Sequence, residues 1–279
     1  MRFGISTHLY HEERLSREHL AEIAAHGFEA VELFATRSHF DYHDVAAIDV
    51  LGEWLQDTSL TLHGVHAPIA GALRGGVWSD FFSTATTDRA RRDHALREAE
   101  AALEVAQRLS ATVVVAHLGV PGDAAGDNDR SAARQSAEAL HTLAAAVNVR
   151  LALEVIPNAL STPQSLVRLL EEEAELGSTG ICLDFGHALL LGDVVEAIEA
   201  TAEHLVTVHL HDNHGRADDH LVPFDGRIDW PAALMAVQKV GYDGVFLMEL
   251  GRTAPPREVL ARAAKARRRF EEILVAMVQ

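Results

Sequence analysis

The sequence predicts an α/β fold, a (β/α)8 TIM barrel formed by a single domain over residues 1–279. The first observation is that short apolar runs alternate with longer amphipathic segments along the chain. The second is that most runs are continuously apolar, which is typical of parallel strands buried on both faces. The third is the count, because eight strands and eight helices fit this barrel in a chain of 279 residues. An open doubly wound sheet is the alternative, but no glycine-rich phosphate motif follows the first run.

Each predicted strand is rich in Val, Ile, Leu or Phe. In chain order, the strands are predicted at residues 2–7, 29–34, 60–66, 112–118, 150–155, 180–185, 205–210 and 244–250. A helix is predicted between Ser16, a suitable N-cap, and Gly27, a suitable residue just past a helix end. Another has Pro163 near its first turn and Gly177 at its end, and residues 229–241 repeat that arrangement.

The composition limits the classes of function. The formal net charge is −17, so the overall field opposes binding to DNA while saying little about small substrates. The single cysteine, Cys182, is expected to be a buried thiol, since it cannot form an internal disulfide. A transmembrane segment and a cleaved signal peptide are not expected, and the cytoplasm is the expected location.

Metal-binding residue types stand at the ends of six consecutive predicted strands. In this fold the C-terminal strand ends face the active site. The residues are His66, His117, Glu154, Asp184 with His187 three positions later, His209 and Glu249. Any one of them could be a surface residue or a core histidine with its own partner. Six together need a shared partner, because buried charges are not tolerated alone, and a metal ion supplies one. Imidazole and carboxylate ligands suit zinc, manganese, iron or cobalt.

The stretch HLHDNHGRADDH, residues 209–220, extends this pattern. Asp218 and His220 are two positions apart, so in an extended segment they project to the same side and could bind one metal ion. For His211, Asp212 and His214 the sequence leaves three roles open. They could support the ligands, contact the substrate or be solvated.

The motifs VHAP, AHLG, LEVIPN, LDFGH, HLHDN with DDHLVPFDGRIDW, and MEL occur in order, one per strand. In this arrangement the sequence resembles the xylose isomerase-like TIM-barrel superfamily, which includes sugar isomerases, epimerases and endonuclease IV. The resemblance covers nearly the whole chain.

The resemblance to endonuclease IV implies three zinc ions held by nine side chains. The first would be held by His66, His117 and Glu154; the second by Glu154, Asp184, His209 and Glu249; and the third by His187, Asp218 and His220. The epimerase branch typically needs only the second group. There Glu154 and Glu249 would also act as acid and base, which makes them the expected catalytic residues.

The expected function is therefore that of a metal-dependent isomerase or epimerase of a small sugar, sugar phosphate or polyol, with one to three divalent ions per chain. The alternatives are a trinuclear-zinc phosphoesterase of the endonuclease IV type and a non-enzymatic metal-binding or ligand-sensing barrel. Fold and metal alone do not decide between them. A small carbohydrate is the expected partner, nucleic acid is not expected, and a homo-oligomer is left open.

Substrate contacts are predicted from residues at the mouth of the barrel: Glu32, Arg37, Trp78, His211, Arg216 and Arg252. Arg74 is a further positively charged candidate. Trp78, Phe81 and Phe82 could insert into DNA or form a hydrophobic lid over a small ligand. The net charge of −17 favours the lid.

Overall fold

The computed structural model describes residues 2–74, 77–122 and 126–278. Its strands are β1 (Arg2–Ser6), β2 (Ala30–Phe34), β3 (Thr61–His66), β4 (Ala70–Arg74), β5 (Val77–Phe81), β6 (Val113–Ala116), β7 (Arg150–Glu154), β8 (Gly180–Asp184), β9 (Leu205–Leu210) and β10 (Val245–Met248). Eight of them close into a parallel barrel in the order β1-β10-β9-β8-β7-β6-β3-β2. The predicted fold class is confirmed, and each barrel strand lies within two residues of its predicted bounds.

The helices occupy the segments between the barrel strands. They are α1 (Arg17–Ala25), α2 (Val45–Thr58), α3 (Arg89–Arg108), α4 (Arg130–Ala146), α5 (Pro163–Arg168), α6 (Phe185–Leu191), α7 (Val194–Thr201), α8 (Trp230–Lys239) and α9 (Pro256–Val278). Within the described ranges, no helix is long and apolar enough to cross a membrane.

The predicted helix ends follow the expected capping chemistry. Ser16 is the N-cap of α1 and forms a capping box with His19. Gly27 follows the helix with a φ of +82°, in the left-handed region that glycine tolerates. The helix predicted to end at Gly177 is shorter, because α5 ends at Arg168 and the chain continues in a π-helical turn over Leu169–Glu173.

Strands β4 and β5 pair as an antiparallel hairpin after β3. This hairpin was not predicted, although two short runs with β-forming residues flank Gly75 and Gly76 in the sequence, a recognised hairpin signal. The two strands lie beside the barrel mouth.

The barrel interior brings the strand ends to one level. Asp184 pairs in register with His209, and Glu154 is the last residue of the neighbouring strand β7, so these three side chains lie around one rim. Cys182 is fully buried in an apolar cluster, as predicted. The register shifts between Val31 and Glu32, an irregularity that re-aims the side chains next to it.

Candidate metal centre

All nine predicted ligands converge at the C-terminal end of the barrel. Their nitrogen and oxygen atoms form four groups, and the atoms of each group lie within 4.8 Å of one another. The groups are His66 with His117 and Glu154; Glu154 with Asp184, His209 and Glu249; His66 with His209 and Glu249; and His187 with His211, Asp218 and His220. Three of these groups contain the three sets that the resemblance implies, and the last gains His211. Their role as metal ligands stays a prediction.

Glu154 occupies the position between the first two groups. Its Oε2 atom lies 2.9 Å from Nε2 of both His66 and His117. Its Oε1 atom lies 3.2 Å from Nδ1 of His209. Burial would raise the pKa of Glu154, but the positive charges of His117 and His209 outweigh it and hold the pKa well below its usual range. Glu154 is therefore an anion that lies between the first two groups of predicted ligands.

His209 is the centre of the second group. Its Nδ1 atom lies 3.4 Å from Glu249 Oε2 and 4.0 Å from Asp184 Oδ2. Burial opposes ionisation of Glu249 as well, yet the charge of His209 keeps the pKa of Glu249 well below its usual range. Asp184 Oδ2 is buried and has no hydrogen-bond partner among the described residues. A buried carboxylate oxygen without a partner is costly, and a cation would supply one.

The third group is held together by Asp218. Its Oδ2 atom lies 3.0 Å from His187 Nε2 and 3.1 Å from His220 Nε2. His211 is fully buried, and its ring stacks on that of His220 with centroids 4.0 Å apart. Its Nε2 atom has no hydrogen-bond partner in the described part of the chain, although Asp184 Oδ1 lies 3.0 Å away. His211 therefore lies beside the predicted ligands, a position that the sequence left open.

The orientation of the histidines favours cation binding. Nδ1 of His66, His187 and His220 lies 2.8, 3.0 and 3.0 Å from the backbone carbonyl oxygens of Ala67, Val155 and Glu249, respectively. A carbonyl oxygen only accepts, so Nδ1 donates and Nε2 faces the carboxylates. An imidazole nitrogen and a carboxylate oxygen at this distance need a proton or a metal ion between them. Burial lowers the pKa of His66, but the hydrogen bond with Glu154 outweighs it and raises the pKa to about 9.

Glu32 lies behind His209 and not on the cavity wall. The side chain is fully buried, and its Oε2 atom lies 3.1 Å from His209 Nε2. The contact leaves Nδ1 of His209 facing Glu154 and Glu249. Glu32 was predicted to contact the substrate, but it lies off the cavity wall and holds the ring of His209, next to the register shift in β2.

A cavity of about 290 Å³ opens above these groups. The walls include Trp78, Phe81 and Phe82, at or beside the hairpin, and His8 and His11, just after β1. The aromatic lid predicted for the first three is compatible with this position. The two histidines were missed, because they lie beyond the strand end and no motif marks them. The only signal was the segment THLYH after the first strand.

The predicted arginine contacts lie elsewhere. Arg37 Nε is 3.5 Å from Asp41, and Arg252 is 2.5 Å from Glu13. Arg216 is exposed in the loop after β9. None of these three arginines is among the described residues that line the cavity. Asp41 and Glu13 hold Arg37 and Arg252 outside it. The side chain of Arg74 falls outside the described part of the structure.

Asp212 holds the loop that carries Asp218 and His220. It is fully buried, and it accepts hydrogen bonds from the backbone N–H groups of Asn213, Phe224, Arg227 and Ile228 and from Trp230 Nε1. His214 is exposed. Of the residues whose role the sequence left open, Asp212 is therefore structural and His214 is solvated.

The comparisons with known proteins agree with this architecture. An uncharacterized protein of Methanocaldococcus jannaschii is 29% identical over 265 residues, which covers 89% of this chain and 83% of that protein. A D-tagatose 3-epimerase-like protein superposes with a TM-score of 0.82 at 24% identity over 100% of both chains. A D-psicose 3-epimerase of Clostridium cellulolyticum H10 gives 0.77 at 20% identity, over 98% of this chain and 99% of the other. The family model of the xylose isomerase-like TIM barrel matches residues 20–270. The chain belongs to the xylose isomerase-like TIM barrel family.

Proposed function

We propose that the protein is a metal-dependent isomerase or epimerase of a small sugar or related polyol, acting by proton transfer at a carbon next to a carbonyl. The observation that carries this proposal is the pair of carboxylates around His209. Glu154 and Glu249 lie 3.2 and 3.4 Å from its Nδ1 atom. Both face the floor of a cavity suited in size to a small ligand. The epimerase names of the structural neighbours support the same class.

The two glutamates are suited to move protons. The pKa of each is held well below its usual range, so each is ionised at neutral pH and can accept a proton. One carboxylate would take the proton from the carbon and, now protonated, would return it to the neighbouring carbon in an isomerisation. In an epimerisation, the other glutamate would first have to take up a proton, for instance from a substrate hydroxyl, before it could deliver one to the opposite face of the same carbon. Their burial excludes bulk water, which would otherwise compete for the proton.

A divalent ion fits the side chains around these glutamates. Glu154, Asp184, His209 and Glu249 would hold it. When bound, the ion supplies positive charge that polarises the substrate carbonyl. The unpartnered Asp184 Oδ2 supports this fit. Zinc and manganese are the first candidates and iron and cobalt the next, since imidazole and carboxylate bind all four.

Solvent-deuterium incorporation tests the proposal. Protein reconstituted with zinc or manganese would be incubated with ketoses in D2O, and exchange at the carbon next to the carbonyl followed by NMR. We expect exchange that depends on metal and on both glutamates. Exchange that is unaffected by Glu249→Gln would contradict the proposed proton transfer.

A second candidate function is a trinuclear phosphoesterase of the endonuclease IV type. The third group, His187, His211, Asp218 and His220, favours it, because a one-metal epimerase does not need these residues. Three ions could bind a phosphate and ionise the attacking water. The test is incision of an abasic-site duplex at about 0.15 M salt, the physiological ionic strength. We expect no efficient incision, because the formal charge of −17 opposes DNA. Efficient metal-dependent incision would replace the first proposal.

A further inference from the structure

His211 lies at the boundary between the second and third groups of predicted ligands. It directly follows β9, and because side chains alternate along a strand, it projects to the same side as His209 two positions earlier. Its ring stacks on that of His220 with centroids 4.0 Å apart. Its Nε2 atom lies 3.0 Å from Oδ1 of Asp184 and 3.6 Å from Oδ1 of Asp218. One side chain therefore contacts predicted ligands of both groups.

Gly186 provides the space for the ring of His211. A β-carbon at position 186 would lie 1.9 Å from Cε1, 2.3 Å from Nδ1 and 2.5 Å from Nε2 of His211, which is closer than β-carbons approach other atoms. Gly186 lies inside helix α6 and is not among the described glycines with a positive φ, so its backbone does not require glycine. Glycine also weakens a helix relative to alanine. The ring of His211 therefore explains the glycine at this position.

The backbone next to His211 is fixed by hydrogen bonds. Asp212 and Leu221 each donate a backbone N–H to the carbonyl oxygen of the other, at 2.8 Å in both directions. The Asn213 side chain donates to the carbonyl oxygen of Gly186 at 2.8 Å. These contacts hold the loop after β9 against the start of α6. The protein itself therefore sets the position of the His211 ring over Gly186.

The two carboxylate oxygens of Asp184 face different partners. Oδ1 accepts from the backbone N–H of His187 at 2.6 Å and faces Nε2 of His211. Oδ2 lies 4.0 Å from Nδ1 of His209, on the side of the second group. A carboxylate oxygen only accepts, so Nε2 of His211 can stabilise Oδ1 only as an N–H donor. Because the two oxygens belong to one planar group, a contact that holds Oδ1 also sets the direction of Oδ2.

We propose that His211 is a positioning residue for both groups. It holds Oδ1 of Asp184, which leaves Oδ2 for a cation, and its ring fixes the ring of His220. This role rests on the proposed function, which places a divalent ion at Asp184. His211 acts through Asp184 and His220 and takes no part in the proton transfer. Its loss should therefore weaken metal binding while the fold is kept.

The metal affinity of His211 variants tests this role without turnover. A chromophoric chelator would compete with the zinc- or manganese-loaded protein for the metal. His211→Ala should weaken metal binding roughly ten- to hundredfold, the usual effect of losing a group that orients a ligand. His211→Gln keeps a side-chain N–H donor and should restore part of the affinity. His214→Ala is the matched control, because His214 is exposed in the same loop. Wild-type affinity in His211→Ala would overturn the proposal.

Gly186→Ala gives an independent test, because it leaves every predicted ligand and His211 itself in the sequence. The added β-carbon should displace the ring, so metal affinity should fall about as far as in His211→Ala. In the His211→Ala background the space is free, and Gly186→Ala should cause no further loss. Thermal unfolding would check that each variant is folded. Losses that add in the double variant would overturn the proposal, because Gly186 would then act independently of His211.

Deuterium exchange on ketoses separates this proposal from the proposed function. Metal affinities that change as expected, without exchange by the wild-type protein, would support the positioning role and overturn the isomerase or epimerase activity. Exchange by the wild-type protein, with equal metal affinity in all the His211 variants, would support the activity and overturn the positioning role. A wild-type protein that binds neither zinc nor manganese would overturn both.

Discussion

Asp184 and Asp212 are two fully buried carboxylates at the same end of the barrel with opposite surroundings. Asp212 accepts from several backbone N–H groups and from the Trp230 indole at 2.8 Å. Asp184 accepts from the His187 backbone at 2.6 Å through Oδ1, while its Oδ2 has no partner in the described part of the chain. A saturated carboxylate holds a loop, whereas an unsaturated one beside histidines is suited to a cation. Burial does not distinguish Asp184 from Asp212, whereas the number of hydrogen-bond donors around each carboxylate does.

The largest effect is expected at Glu154, which lies at the centre of the unsaturated region. Glu154→Gln should lower turnover by roughly a thousandfold or more, because it removes a base and weakens metal binding while keeping the shape. Thermal unfolding should show that the fold is kept. The matched control is Glu98→Gln, since Glu98 is also buried but contacts Tyr42 and His43 outside the site. A metal-replete Glu154→Gln enzyme with full turnover would remove this residue from the proposed mechanism.

Substitution of the two aspartates tests whether Asp212 stabilises the fold and Asp184 binds metal. In metal-free protein, Asp212→Asn should cost about 2 kcal/mol of unfolding free energy, because the amide group faces donors and leaves them unsatisfied. Asp184→Asn should cost little, since asparagine still caps α6 and relieves the repulsion among buried carboxylates. Urea unfolding of both variants measures the difference. In metal-binding titrations the order should reverse, with Asp184→Asn losing more affinity than Asp212→Asn for the ion held by Glu154, Asp184, His209 and Glu249. Equal effects of the two substitutions in both assays would contradict the different roles of Asp184 and Asp212.

A smaller effect is expected at Glu32, which contacts His209 at 3.1 Å. Glu32→Gln should weaken metal binding by roughly ten- to hundredfold, because outer carboxylates orient histidine ligands. Competition with a chromophoric chelator measures this affinity. His63 is the matched control, because its hydrogen-bond partner in the same barrel interior is Thr207, at 3.0 Å. If Glu32→Gln and His63→Gln bind metal with equal affinity, Glu32 does not orient a metal ligand.

The fold and the ligand cluster could be predicted because both depend on local sequence. Apolar runs locate the strands, and the residue at each strand end locates the site. The role of Asp212 could not be predicted in this way, since its donors lie up to eighteen positions later in the chain. His8 and His11 lie beyond β1 and face the cavity only because Trp78 and His220 pack on them. Tertiary contacts of this kind leave no periodic signal.

Glu154, Asp184, His209 and Glu249 are proposed to form a metal site. The most direct measurement is elemental analysis of the reconstituted protein, combined with anomalous scattering from crystals at the absorption edge of the bound metal. We predict at least one ion per chain, located among these four side chains, and its loss in Asp184→Asn. A protein that binds no stoichiometric metal, or that binds it only outside these four side chains, would contradict the proposed metal site.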